Sequence, residues 1–548
     1  LYRVVLFYCF LLVPLVLLAE EKIDSVESKK PDAGSVYQAR KYRDILNLID
    51  TYYYRELDID SLSEETFKIM LQSLDDFSYF YDKGEYLVQQ NTDKGSSVSF
   101  GLNYIPVDGK ALVYNVFPEG PARKSGLPSG SLLLSISGRD VTGDSLSGLR
   151  DLLNGEEGSS ATVVYDFLNS IDSVEIERYS FLLPSVSTAF AIDDSSPAAY
   201  VAIDRFSDNT SDEFSATLNN LASQLDIDWK DFKSIIIDLR GNTGGKFRAA
   251  RDLATFFLDS NQLVSKTMSR SDRFALELRT TRRGELYGIP LIVLVDSETA
   301  SSSEIFSGVV QDYDLGVLVG QKTFGKGVVQ NTWNFKDSTG IRFTVASYMT
   351  PSGREVEPRL EYDEESLSEE MFFGLTPEQE ASLRAQIEKL GTTKGKVDTY
   401  KTRSGRTVFG LKGIWPDIIL SDEEYTKMHK ILKSKKMYFL VAYIIMKESK
   451  NDYLELLSKG ENWFIANWWP SEANIERFEK LARSNSLWND DMFMKDKELM
   501  MSSIKAELGL MLFGYGVQKE ILARQSSIFD RIEDYYLKAL EIMESNDN

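Results

Sequence analysis

One cysteine and one histidine are all the chain holds of the two side chains most used for metals and activated nucleophiles. Cys9 has no second thiol to pair with and falls in an apolar leader. A mature chain without that leader would have no disulfide, no thiol nucleophile and no cysteine-based metal site. His429 sits in a lysine-rich run, TKMHKILKSKK, so a catalytic zinc would lack its usual ligands and no metal is expected. Positive charge is also short, 62 Lys and Arg against 84 Asp and Glu, a formal charge of −22. That balance argues against a nucleic-acid partner and against an anionic membrane surface, and it suits a soluble secreted protein. Neither G-x-G-x-x-G nor Gly-Lys-Ser/Thr is present, which removes the usual nucleotide cradles. No cofactor is implied.

What is there centres on residues 291–330, LIVLVDSETASSSEIFSGVVQDYDLGVLVGQKTFGKGVVQ. Leu291 to Val295 are five apolar, mostly branched residues, the pattern of a strand buried on both faces. A small-residue turn, Thr299 to Ser303, follows. Glu304 opens a helical pattern with Ile305, Phe306, Val309 and Val310 on one side. A second apolar strand, Gly316 to Gly320, leads to Phe324-Gly325-Lys326-Gly327. A serine at a strand-to-helix turn is presented beside the free N–H groups of the nascent helix, which suits a nucleophile with an oxyanion hole. Its base must be found elsewhere. Nothing around His429 looks like a site, whereas Lys326 lies among Phe324, Val328 and Val329, apolar neighbours that would lower an amine's pKa. Elimination favours a Ser–Lys pair.

These residues resemble the carboxy-terminal processing (tail-specific) serine peptidase family, whose signature runs S/T-A-S-A-S-E-I…G…T-F/Y-G-K-G…Q. The resemblance puts the nucleophile on Ser301, the general base on Lys326 and a lysine-orienting glutamine on Gln330. It puts a supporting aspartate on Asp312. Ser302 stands where the family usually has alanine, and that position would contribute its backbone N–H to the oxyanion hole. A second family signature, D-L-R-x-N-x-G-G, matches Asp238 to Gly245 and would supply the other oxyanion donor from Gly244 or Gly245.

Along the chain, 548 residues exceed what one core usually supports. Residues 1–19 read as a signal peptide, with Arg3, an apolar run and Ala19 before Glu20-Glu21. Residues 20–94 read as a helical region, with a Ser61–Glu64 capping box ahead of its second helix. In the resembled family this segment often aids assembly or packs on the PDZ domain, and the first of these is compatible with a homo-oligomer.

Residues 95–182 look like a PDZ domain, with short strands at 99–102, 111–116 and 131–136 and a helix near 146–153. Such a domain would take a peptide C-terminus as an added strand, with the loop Phe100-Gly101-Leu102 holding its carboxylate. Ser99 and Ser131 depart from the usual glycine and aspartate. Residues 183–420 read as the peptidase core, interrupted by an acidic insertion at 361–380. Residues 421–548 turn helical and aromatic, with Trp463, Phe464, Trp468 and Trp469 expected in a core and Met437 to Met446 too short to span a membrane.

The expected fold is therefore α/β within an α+β multidomain chain: a crotonase/ClpP-like peptidase core, an inserted PDZ-like β-rich domain, and helical N- and C-terminal regions. The expected function is an exported, periplasmic or cell-envelope (bacterial) endopeptidase acting on protein or peptide substrates with free C-terminal tails. An uncleaved leader would associate it with a membrane. An inactive peptide-binding, chaperone-like homologue and a crotonase-like acyl-group enzyme are the alternatives. The intact Ser301, Lys326 and Gln330 set argues against the first, and a PDZ-like module has no evident use in the second.

Overall fold

The computed structural model describes residues 33–86, 89, 96–107, 109–143, 146–192, 197–357, 398–420 and 425–545. The leader with Cys9 and the acidic insertion at 361–380 lie outside the described residues. The chain forms two compact units: residues up to Val88 with Gln330–Val345, and Gln89–Val329 with Ala346–Asn548.

In the smaller unit, helices Ala33–Tyr52 and Ile59–Gln72 are joined through aromatic packing. The Phe67 ring lies 6.1 Å from Tyr42 and 5.6 Å from Phe80. The second helix begins earlier than its sequence suggests. Asp58, not Ser61, is the cap, its carboxylate accepting from the N–H groups of Asp60 and Ser61. Strand Tyr79–Tyr81 pairs antiparallel with residues 340–342.

In the larger unit a six-stranded sheet runs in the order Val186–Ile192, Ala198–Ile203, Ser234–Asp238, Leu291–Val295, Gly316–Gly320, Ile418–Ile419. Only the first pairing is antiparallel. Every residue of the four strands from Ala198–Ile203 to Gly316–Gly320 is buried. A parallel sheet needs cover on both faces, and here two different parts of the chain supply it. Phe214, Leu218, Ile305, Phe306 and Val309, from helices Thr210–Gln224 and Ser302–Asp312, meet Val201, Ile235, Ile237, Val293 and Val295. The alternate residues Tyr200, Ile236, Ile292 and Leu294 meet Tyr535, Ala539 and Ile542 of helix Ile532–Glu544. The final helix thus completes the core layer, a role that residues 421–548 did not reveal in sequence.

The inserted β-rich domain is a six-stranded antiparallel sheet with helix Leu146–Leu153. Its first expected strand is broken. Ser96–Ser99 and Leu102–Val107 are separate because Gly101 turns the chain at φ +71°, and a Cβ there would lie 2.7 Å from the Gly120 Cα. Ser131, in place of the usual aspartate, is buried and donates to the Pro128 carbonyl at 2.8 Å.

C-terminal helices pack on this domain: Leu112 and Leu168 share a cluster with Phe439, Ala442, Met446 and Met511. The Tyr114 ring lies 4.7 Å from Phe439, and its hydroxyl accepts from Gln518. Of the aromatics expected in a core, Phe464 is fully buried, while Trp463 and Trp469 lie near the surface, their rings 4.3 Å from the ammonium groups of Lys459 and of the buried Lys505. Among the described residues, no helix is long and apolar enough to cross a membrane.

Candidate active site

Ser301 follows the buried strand Leu291–Val295 and caps helix Ser302–Asp312, with φ 58° and ψ −117°. A side chain held at positive φ is costly and persists only where its surroundings enforce it. Here the surroundings are specific. The Ala300 N–H donates to the Asn242 carbonyl at 3.0 Å, the Thr299 hydroxyl to the Leu239 carbonyl at 2.9 Å, and the Ser302 hydroxyl to the Gly245 carbonyl at 3.0 Å. The serine turn is thereby laced to the Gly-rich turn after strand Ser234–Asp238. That second turn is anchored in turn by Asp238, whose buried carboxylate accepts from Tyr200 and Arg240.

Gly244 must be glycine: a Cβ would stand 2.7 Å from both the Ala300 carbonyl oxygen and the Ser301 Cβ. Its N–H donates to Asn242 Oδ1 at 2.9 Å.

Lys326 lies in the loop 321–327, between strand Gly316–Gly320 and strand Val328–Asn334, and is half-buried. The expected apolar cover is only partly present, because Phe324 is 47% exposed. Polar groups hold the loop instead. Glu304, fully buried, accepts four hydrogen bonds: on Oε1 from the Thr323 hydroxyl (2.6 Å) and the Gly325 N–H (2.7 Å), on Oε2 from the N–H groups of Ser301 (2.8 Å) and Lys326 (2.9 Å). Burial raises the Glu304 pKa above its ordinary value, with the four donors opposing. From the other side the buried Tyr348 hydroxyl donates to the Lys326 carbonyl at 2.6 Å and lies 3.1 Å from the Ser301 carbonyl. The Gly327 N–H donates to Glu357 at 3.1 Å, and Glu357 pairs with Lys412 at 3.6 Å. A second lysine of the loop, Lys322, has its pKa lowered, first by burial and then by Lys412, against the opposing charge of Glu304.

Sequence reasoning missed Glu304 and Tyr348. The signal for Glu304 was an acid three residues after the serine at the head of an otherwise apolar helix. For Tyr348 there was none beyond its place in the run IRFTVASYMTPSGR.

Gln330 is on strand Val328–Asn334, and its side-chain amide donates to the Phe77 carbonyl. Asp312 closes the serine helix at its far end, roughly 16 Å from Ser301 at 1.5 Å per residue. There it accepts from Arg354 at 3.0 Å, with both side chains 2% exposed or less, and from the Ser352 N–H at 2.9 Å. Its place is that of a buried structural pair.

His429 is buried in helix Lys427–Ser434, with Nδ1 2.8 Å from the Tyr438 hydroxyl; burial pushes its pKa down to about 4. In the PDZ-like loop, Phe100 is fully buried. Its N–H donates to the Leu153 carbonyl at 3.1 Å and that of Gly101 to the Ser99 hydroxyl at 3.1 Å. Two of the donors expected for a substrate carboxylate are thus already engaged. Leu102–Val107 lies, among the described residues, at the edge of its sheet. Among the described residues, no cluster of His, Cys, Asp or Glu could hold a metal ion.

The sequence profile of Peptidase family S41 matches residues 197–366, which contain both turns, Ser301, Glu304, Lys326 and Tyr348. A CtpA-like serine protease of Staphylococcus aureus (strain COL) is 24% identical over 434 residues, covering 77% of this chain and 82% of its own length. Another, from Staphylococcus haemolyticus (strain JCSC1435), is 27% identical over 305 residues, 56% of this chain and 60% of that relative. Among solved structures, the photosystem II D1 C-terminal processing protease shares 24% identity at a TM-score of 0.34, over 60% of this chain and 93% of its own. The profile falls on the four buried strands and the two laced turns that build the site: this segment of the chain matches Peptidase family S41, and the chain is similar to the CtpA-like serine proteases.

Proposed function

We propose that the chain is an exported endopeptidase that uses Ser301 as nucleophile and Lys326 as general base, on protein substrates chosen by their C-terminal tails. The observation that supports this most is the shared Glu304 carboxylate, which fixes the main chain of both residues from one buried point. The Ser301 hydroxyl attacks the scissile carbonyl while a neutral Lys326 amine takes its proton. The oxyanion forms beside the N–H of Ser302, at the head of the helix. Because the Gly244 N–H is turned to Asn242, Gly245 is the better second donor. The lysine's new proton goes to the leaving amine as the acyl-enzyme forms. The neutral amine then deprotonates the water that releases the second product. Tails add as a strand at the edge Leu102–Val107 of the PDZ-like domain.

Cleavage of a protein substrate by the intact chain, and by Ser301→Ala, Lys326→Ala and His429→Ala, tests the reading. The first two variants should be inactive and folded, and the third should cleave as wild type does. Activity lost with His429, in a folded protein, would contradict a lysine base.

A further inference from the structure

We propose that Tyr348 is a positioning residue for the reaction, holding the main chain of Lys326 against that of Ser301 from the side opposite Glu304. The inference rests on the Ser301–Lys326 reading above. A lysine amine rides on four flexible carbons, so its aim depends on how firmly its own peptide is held. The peptide entering the lysine is held at its N–H by Glu304, at 2.9 Å. The peptide leaving it is held at its carbonyl by the Tyr348 hydroxyl, at 2.6 Å.

The same hydroxyl lies 3.1 Å from the carbonyl of Ser301, so one buried O–H spans the two residues in a three-centre arrangement. The Ser301 carbonyl also accepts from the N–H groups of Glu304 (2.8 Å) and Ile305 (3.0 Å) and would stay satisfied without the tyrosine. The Lys326 carbonyl is the group that would lose its short bond.

Tyr348 is itself well fixed. It is 1% exposed, its ring packs 6.1 Å from Phe247, and its N–H donates to the Gly327 carbonyl at 2.9 Å, one residue past the lysine. Its burial, and after that the nearby carboxylates of Glu304 and Glu357, push the phenol's pKa well above its ordinary value, which favours the protonated, donating form. Glu304 accepts from both residues and Tyr348 donates towards both. Two residues 25 positions apart in sequence are thereby held by two side chains, neither of which need touch the substrate.

The test is Tyr348→Phe in the full chain, which keeps the ring and removes the oxygen. Labelling of Ser301 by a fluorophosphonate probe and cleavage of β-casein are followed over a range of concentrations. The expected result is a fall in the maximal rate of both by about 10- to 100-fold, the scale of a small misplacement of a reacting group, with KM within about twofold of wild type. A merely structural tyrosine would lower Tm and leave the rate per folded molecule unchanged, and that outcome overturns the proposal. Should Tyr348→Phe not fold, 3-fluorotyrosine at 348 keeps the ring and alters the donor strength of the hydroxyl. It must still move kcat without KM, and no change there is equally contrary. Ser301→Ala and Lys326→Ala run in parallel separate the two readings. If either still cleaves, the dyad reading falls; if both are dead and Tyr348→Phe is as fast as wild type, only the tyrosine's role falls.

Discussion

The main-chain N–H groups of Ser301 and Lys326 converge on a single carboxylate oxygen, Oε2 of Glu304, at 2.8 and 2.9 Å. The other oxygen of that carboxylate takes Thr323 and Gly325, so a fully buried acid accepts four hydrogen bonds from the serine turn and the lysine loop.

Glu304→Gln should therefore damage both turns at once. An amide has one oxygen where the carboxylate has two, and its NH2 group would face two of the four donors. A loss of about 2–4 kcal/mol in stability, from donors left unpaired in the core, is expected together with a fall in kcat of at least about 100-fold. Urea unfolding and single-turnover cleavage measure the two. Wild-type kcat in a folded Glu304→Gln protein would show that the shared carboxylate does not position the site.

Asp312 calls for the opposite outcome. It accepts from Arg354 and the Ser352 N–H at the far end of the serine helix. Asp312→Ala should cost about 3–5 kcal/mol by leaving a buried guanidinium partly unpaired. Activity per folded molecule should stay near wild type at low temperature. Loss of kcat without loss of stability would return Asp312 to the catalytic machinery.

Two buried groups in the C-terminal helices give opposite pH dependences. Burial raises Glu507 from an ordinary 4.5 to about 7, with Tyr114 and Gln518 bonded to it and Lys436 and Lys433 opposing the shift. A raised carboxyl stabilises the fold below about pH 4.5, and that stability is lost as pH rises through about 7. His429 is pushed down from 6.5 to about 4, first by burial and then by Lys433, against Asp496. Its contribution is present above about pH 6.5 and lost as pH falls through about 4. Each effect is on the order of 2–3 kcal/mol. Melting curves between pH 4.5 and 7 should show Glu507→Gln gaining on wild type as pH rises and His429→Gln gaining as pH falls. Difference curves that run parallel would contradict both assignments.

Tail selection predicts a preference that needs no mutation. Peptides identical but for a free or amidated C-terminus should differ in kcat/KM by about tenfold, the scale of one charge-assisted contact. Equal rates would mean the edge strand Leu102–Val107 does not choose substrates by their ends. Removing residues 95–182 is a poor substitute for this comparison, because Phe439, Met446 and Met511 would lose the surface they pack against.

The sheet was legible in sequence because its strands are short apolar runs, Ile235 to Ile237 and Leu291 to Val295, bounded by turn residues. Ser301 and Lys326 were legible as candidates because small residues and glycines mark their turns. What holds those turns was not. The bonds of Glu304 to Gly325 and Lys326 span 21 and 22 residues, and that of Tyr348 to Ser301 spans 47, with no local period to betray them. Phe324 reads as cover for the lysine by adjacency, yet its backbone donates to Thr299 while its ring faces outward. The C-terminal helices were opaque for the same reason: Tyr114 and Glu507, which meet across the β-rich domain, are 393 residues apart.

The most direct test is to react the intact chain with a fluorophosphonate at neutral pH and map the adduct by peptide mass spectrometry, beside Lys326→Met. A Ser–Lys peptidase predicts one stoichiometric adduct, on Ser301, whose formation speeds up as pH rises and is abolished in a folded Lys326→Met protein. An adduct on another serine, or one on Ser301 that forms as fast without the lysine, would contradict it.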